Sequence, residues 1–247
     1  MTTRPQILFI HGWWSTGWVW SRFERAFRAR GYRTRAVDLP YRIEGTAPGR
    51  IGFGQLVDAA AAAAREMDNP VLVGHSAGGL IAQKLAEIGD PPACVCLGPA
   101  APRGILAIAT LDMLRLALRY APAMLLSRTF LPGPDEMRRF SLNRLPEAEH
   151  AEVRAQMSPQ SGRVALQMGL AGIPVDAARV TAPMLVIGAG QDRMTPPRVT
   201  RAIARRYGAD YKEYPDNAHF MLREPGWETI AGDVMDWIEG ATEKGTQ

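Results

Sequence analysis

Cysteine, lysine and histidine are scarce in this chain of 247 residues, and each scarcity closes off a class of function. The two cysteines, Cys94 and Cys96, lie two apart in one apolar run, where strand geometry points them the same way along one backbone. That rules out a disulfide framework. They read as buried small apolar residues, because a metal site would need further ligands that their neighbourhood does not supply. Lysine occurs only at positions 84, 212 and 244, so the formal charge of +4 comes mostly from arginines scattered along the chain. A nucleic-acid binder calls for a clustered basic face interleaved with aromatics, and no such stripe is visible. Long hydrophobic runs are missing as well. The apolar stretches at 105–120 and 121–131 are interrupted by Asp112, Arg115, Arg119, Pro122 and Arg128, well short of the ~20 residues a membrane span requires. The opening M-T-T-R-P-Q-I-L-F-I-H-G has too short an apolar stretch for a signal peptide and runs into a first core strand, so a cytoplasmic location and no stable membrane insertion are expected.

What is present suits one large domain. With 47% hydrophobic and 22% charged residues the chain buries a full core. Short apolar runs at 7–10, 34–37, 71–74, 93–97, 184–187 and 211–214 alternate with helical patterns at 18–29, 55–67, 80–88, 199–207 and 227–239. Breakers at Gly31, Pro70, Gly208 and Gly240 end four of these, and 241–247 reads as a frayed tail. Strand and helix in alternation predict an α/β fold, a mostly parallel sheet of about six strands with helices on both faces. The alternation stops between 102 and about 175, where no convincing strand is seen. An ordered insertion of that length is usually functional. The expectation is a helical cap at 102–175 on a core built from 1–101 and 176–247. Its helices pack on the domain in the plainer reading. In the sharper one they form a lid whose inner face, including Met113, Leu116, Met124 and Leu125, walls an apolar pocket.

The chemistry is concentrated in V-L-V-G-H-S-A-G-G, residues 71–79. An apolar β-branched run breaks into Gly74-x-Ser76-x-Gly78 and then a helix-compatible stretch. A serine hydroxyl becomes a useful nucleophile when it projects alone from a strained strand-to-helix turn, where a base can reach it and backbone N–H groups converge. Gly74 and Gly78 remove the Cβ atoms that would collide across such a turn, and Gly79 lets the next helix lie close to the neighbouring strand. Chance alone gives the pentapeptide pattern ~0.07 times in a chain of this composition.

A nucleophilic Ser76 needs an orienting acid and a base after later strands, in the order Ser, Asp or Glu, His. M-L-V-I-G-A-G-Q-D leads to Asp192, and Y-K-E-Y-P-D-N-A-H leads to His219. The other histidines offer little competition. His75 adjoins Ser76 and points away at the elbow, His11 makes local hydrogen bonds, and His150 lies in the polar part of the insertion and is solvated. Asp216, three residues before His219, is a turn former in P-D-N. An oxyanion hole requires two backbone N–H groups. Ala77 after the nucleophile supplies one and Trp13 in the first loop the other, through its amide rather than its indole. Trp13 and Trp14 are placed to wall the pocket, while Trp18 and Trp20 read as core.

Together, His11-Gly12-Trp13, Val37-Asp38-Leu39-Pro40, Gly74-His75-Ser76-Ala77-Gly78-Gly79, Gly190-Gln191-Asp192 and Asn217-Ala218-His219 resemble the α/β-hydrolase superfamily over nearly the whole chain. The first loop and A-H-F-M-L-R-E-P look most like the short esterases that lack the superfamily's first two strands, a group that includes hydroxynitrile lyases. Those lyases carry a lysine after the triad histidine and a threonine in the first loop, where this chain has Phe220 and Gly12. The resemblance implies a carboxylesterase acting on a small, apolar ester through an acyl-enzyme, with no metal or organic cofactor. Carbon–carbon hydrolysis, perhydrolysis or lyase chemistry on the same triad, and a non-catalytic small-ligand receptor, are the alternatives. A homodimer through an exposed apolar lid is a further possibility.

Overall fold

A computed structural model describes residues 4–106, 108 and 110–244. Its first strand shows how the core is made. In β1 (Gln6–Ile10) Ile7 and Phe9 face one apolar cluster while Leu8 and Ile10 face another, so the strand is buried on both sides. Helix α1 (Ser21–Ala29), entered through a 3₁₀ turn at Gly17–Trp20, lays Phe23 and Phe27 on the first face. There Phe9 stacks on Trp20 at 4.7 Å between ring centroids and meets Phe27 edge-on at 5.2 Å. β2 (Arg33–Val37) returns beside β1, and α2 (Phe53–Arg65) leads to β3 (Val71–His75) on β1's other side. α3 (Ala77–Ile88) and β4 (Cys94–Leu97) follow.

The chain then leaves the sheet for α4 (Leu111–Leu125), β5 (Thr129–Phe130), α5 (Pro134–Phe140), α6 (Glu147–Ala155), β6 (Gln160–Ser161) and α7 (Gly162–Leu166). It returns where it left, since Pro102 pairs with Ile173 and the Arg103 N–H donates to the Ile173 carbonyl at 2.7 Å. β7 (Met184–Ala189), α8 (Pro197–Tyr207), β8 (Asp210–Tyr214) and α9 (Trp227–Lys244) complete the molecule.

All pairs of the six-stranded sheet are parallel, in the order β2-β1-β3-β4-β7-β8. The order reverses at β1: the chain steps outward to β2 and then crosses to β3. A reversal of this kind opens a crevice at the carboxyl ends of the two strands, the usual ligand site of open α/β sheets. The loop after β1 holds Trp13, and the turn after β3 holds Ser76.

Two expectations need correcting. The insertion does contain strand: β5 and β6 form a two-residue antiparallel pair, too short to leave a period in the sequence. α9 runs through Gly240 to Lys244 rather than stopping before it, because Ala241 packs on the core and the Thr242 hydroxyl donates to the Ile238 carbonyl at 2.8 Å. The rest of the expected tail, 245–247, lies outside the described residues. Trp18 packs on the core as expected, half-buried beside fully buried Trp20, between Phe220 and the guanidinium of Arg223. The cysteines are free and buried, with sulfurs 3.9 Å apart on one face of β4.

The insertion is not uniform. Met137, Phe140, Leu142, Leu145 and Val153, from its middle, are buried, and polar contacts from the same stretch hold two core loops. Asn143 donates to the Gln191 carbonyl at 3.0 Å and Arg144 to the Asp216 carbonyl at 2.9 Å. α4 instead leaves several leucines exposed. No helix among the described residues is long and apolar enough to cross a membrane.

Candidate active site

Ser76 sits between β3 and α3 at φ 54° and ψ −120°, a backbone conformation costly for any residue with a side chain. The surroundings hold it there. Its N–H donates to the Leu97 carbonyl at 3.0 Å, and its own carbonyl accepts from Gly79 and Ala100 at 3.0 and 2.9 Å. The glycines act at closer range than the motif alone indicates. A Cβ on Gly74 would come within 2.3 Å of the Gly78 carbonyl oxygen across the turn, and one on Gly78 within 2.2 Å of the Ile10 carbonyl oxygen at the end of β1. The elbow is therefore wedged against the first loop.

The hydroxyl of Ser76 lies 3.0 Å from His219 Nε2, and His219 Nδ1 lies 2.9 Å from Asp192 Oδ2. With Nδ1–H donating to the carboxylate, Nε2 is left as the acceptor facing Ser76. Asp192 Oδ1 accepts from the Met194 and Thr195 N–H groups, each at 2.8 Å, and the Thr195 hydroxyl lies 2.8 Å from Oδ2. Burial works to raise the Asp192 carboxyl, but the His219 ring and the Thr195 bonds outweigh it and hold the group below its ordinary value. It is therefore an anion beside the imidazole.

The other histidines differ from expectation in part. His75 does not simply turn away. Its Nε2–H donates to the His219 carbonyl at 2.7 Å, beneath the loop that holds His219. Burial, reinforced by the nearby His219, lowers its pKa to about 3, so it supports that loop as a neutral ring. His11 is local only in part, donating to the Gly12 carbonyl at 2.8 Å but accepting from the Leu39 N–H, in the loop after β2, at 3.0 Å. His150 is half-buried rather than solvated and donates to the Leu145 carbonyl at 2.9 Å. Asp216 is exposed in a turn.

Trp13 and Ala77 both border the same cavity as Ser76. Ala77 is the first residue of α3, where an amide has no intrahelical acceptor. Neither amide has an acceptor among the described residues. Trp14, at φ 60°, lines the cavity as well, and its indole donates to the Phe130 carbonyl at 3.1 Å.

One residue escaped the sequence reading altogether. Glu224 is fully buried, and its carboxylate accepts from the Ala218 N–H at 2.6 Å and the Phe220 N–H at 3.1 Å, the two amides that flank His219. It also takes a bond from the Asn217 side chain at 3.3 Å. Burial raises its pKa against the opposing pull of those bonds. A lone Glu five residues past the histidine carries no local signal; only the looping back of 217–224 brings it under the imidazole. In Glu224→Gln an amide NH₂ replaces one acceptor and faces donors. The expected result is a kcat about 10²-fold lower at unchanged KM, the cost of a base displaced by about 1 Å. Steady-state kinetics check this, and equal losses in kcat and thermal stability with a raised KM would mean a structural role only.

A serine on a strand-to-helix turn at the switch point of a parallel sheet, with a carboxylate and an imidazole on the loops after β7 and β8, is the α/β-hydrolase arrangement. The chain belongs to the alpha/beta hydrolase family, whose model matches residues 7–229. Among curated proteins it is similar to Esterase PIR7B of Oryza sativa subsp. japonica, 35% identical over 85 residues that make up 32% of each chain. It is also similar to a monoacylglycerol lipase of Mycolicibacterium smegmatis, 33% identical over 69 residues, 27% of this chain and 25% of that one. These matches thus span a third or less of the relatives' length. Among solved structures, the methylesterase MES16 from Arabidopsis superposes with a TM-score of 0.73 at 14% identity, covering 95% of this chain and 99% of that one, a likeness of fold.

Proposed function

We propose that this protein is a serine hydrolase, a carboxylesterase for lipophilic esters, with Ser76 as nucleophile, His219 as base and Asp192 as orienting acid. The observation that carries the reading is the unbroken chain of contacts from Asp192 through His219 to Ser76, at the wall of an apolar cavity of about 410 Å³. Met113, Leu116, Met124, Met157, Met168 and Met194 line that cavity, and no lining residue among those described is acidic, lysine or arginine. Flexible thioethers suit a linear or variable apolar group, and the lack of charge disfavours a charged acyl chain. The esterase and lipase names of the partial relatives point the same way.

The steps follow from the contacts. Ser76 Oγ attacks the ester carbonyl carbon as its proton passes to His219 Nε2, and the amides of Trp13 and Ala77 receive the carbonyl oxygen as it becomes an oxyanion. Collapse breaks the C–O bond to the alcohol, which takes the proton from His219 and leaves an acyl ester on Ser76. Water, deprotonated by His219, then attacks that ester. The acid departs and the proton returns to Ser76. In this scheme the insertion at 102–175 is the cap that roofs the acyl site over the core of 1–101 and 176–247.

The test is steady-state hydrolysis of p-nitrophenyl esters from acetate to long-chain acyl groups, together with a fluorophosphonate and mass mapping of the adduct. Turnover is expected, with an optimum beyond acetate and the phosphonyl group on Ser76. Absence of both turnover and adduct would overturn the assignment and move it to carbon–carbon or lyase chemistry, which product analysis distinguishes.

A further inference from the structure

The cavity beside Ser76 is apolar apart from a few hydroxyls and ring nitrogens, and most of these find partners inside the protein. Ser15 donates to the Thr16 carbonyl at 3.3 Å, Tyr120 donates to Glu136 Oε2 at 2.5 Å, and Thr195 has Asp192 Oδ2 at 2.8 Å and the Gly98 carbonyl at 2.9 Å. Ser141 differs. It lines the same cavity and is only 5% exposed, yet its hydroxyl makes no hydrogen bond among the described residues. The indole N–H of Trp13 is unpaired too, but it is sealed from any open space, whereas the Ser141 oxygen is not so enclosed and opens on the cavity. A buried hydroxyl without a partner costs stability, so one kept in place calls for a ligand group to complete it.

The position of Ser141 is fixed from both sides. Before it, the Arg139 carbonyl accepts from Arg193 Nη1 at 3.2 Å; after it, Asn143 donates to the Gln191 carbonyl at 3.0 Å and Arg144 to the Asp216 carbonyl at 2.9 Å. These bonds tie 139–144 to the loops that hold Asp192 and His219. The Ser141 N–H is itself held by the Met137 carbonyl at 2.9 Å, so the hydroxyl stands at the cavity wall before any ligand arrives. Its surroundings define what it recognises. No described lining residue is acidic, lysine or arginine, so a charged group would enter without a counter-ion. A serine hydroxyl both donates and accepts, which suits an ether, carbonyl or hydroxyl oxygen. In the proposed mechanism the scissile carbonyl oxygen goes to the Trp13 and Ala77 amides. The partner of Ser141 is therefore a second oxygen.

We infer that Ser141 is a specificity residue whose hydroxyl bonds a neutral oxygen that the substrate carries apart from its scissile ester. The substrate class is then an oxygenated lipophilic ester rather than a plain hydrocarbon one, a statement that rests on the esterase reading. The deciding experiment measures kcat/KM of the wild type and of Ser141→Ala on two series. One is p-nitrophenyl octanoate and the other octyl acetate, each with analogues in which successive chain methylenes are replaced by an ether oxygen. The first series probes the acyl side and the second the alcohol side. The quantity read is kcat/KM of each analogue relative to its parent, and comparing that ratio between the two enzymes cancels intrinsic reactivity. At one chain position the ratio is expected to be about tenfold higher in the wild type than in the variant. The variant loses no bond inside the protein, so its Tm by circular dichroism is not expected to fall. Equal ratios at every position of both series would overturn the inference. So would a Tm lowered by more than about 3 °C, which would give the hydroxyl a structural partner. Absence of turnover on every ester, parents included, would instead remove the esterase reading and this inference with it.

Discussion

Replacing Ser76 by alanine is expected to lower kcat for the best p-nitrophenyl ester by about 10⁶-fold, with KM changed little. The magnitude follows from what remains. In the proposed mechanism the cavity and the Trp13 and Ala77 amides still bind and polarise the carbonyl, but the group that His219 would serve is gone, so water must attack without an acyl-enzyme. Nucleophile, base and acid act as a unit, and adding His219→Ala to the first variant should therefore cost almost nothing more. The strained backbone at Ser76 is set by Leu97, Gly79 and Ala100 through main-chain bonds and survives the change, so the variant should fold. Residual turnover above about 1% of wild type, measured after excluding contaminating esterase, would remove Ser76 from the mechanism.

The parallel sheet was legible because its central strands are continuous apolar runs punctuated by glycine and proline. Val71–His75 is buried at every position and ends in a motif whose glycines have steric work visible in the sequence itself. Asp192 is legible on the loop after such a strand and His219 on the loop after the polar edge strand β8, although nothing local says that they meet. The misses share a cause: they depend on contacts between segments far apart in the chain. Glu224 becomes important only when its loop folds back on Ala218 and Phe220. His75 looked idle beside Ser76 because its partner is a carbonyl 144 residues away. The continuation of α9 past Gly240 likewise reflects packing of Ala241, which overrides a weak local stop. In the insertion, composition identified apolar helices but not which leucines face outward. That division comes from the pose of α4 over the cavity.

Asp192→Asn is expected to cost about 10⁴-fold in kcat while leaving the fold nearly intact. Asparagine is close in shape and keeps an oxygen for the Met194 and Thr195 amides, but if it does so its NH₂ is turned toward His219 Nδ1. Two donors cannot share that contact. The ring then takes the other tautomer and presents Nε2–H to Ser76, which removes the base without moving it. The same geometry sorts the acid limb of the pH profile. The native Asp192 carboxyl is held below its ordinary value, so its contribution to stability is fully present above the unfolded value of about 3.9 and is lost only as pH falls through its lower native value. The stability difference between the wild type and Asp192→Asn is therefore expected to stay constant from pH 7 down to about pH 4 and to shrink only below it. Circular dichroism melts of both proteins across that range check this. A difference that shrinks well above about pH 4 would mean that the Asp192 carboxyl is not held below its ordinary value.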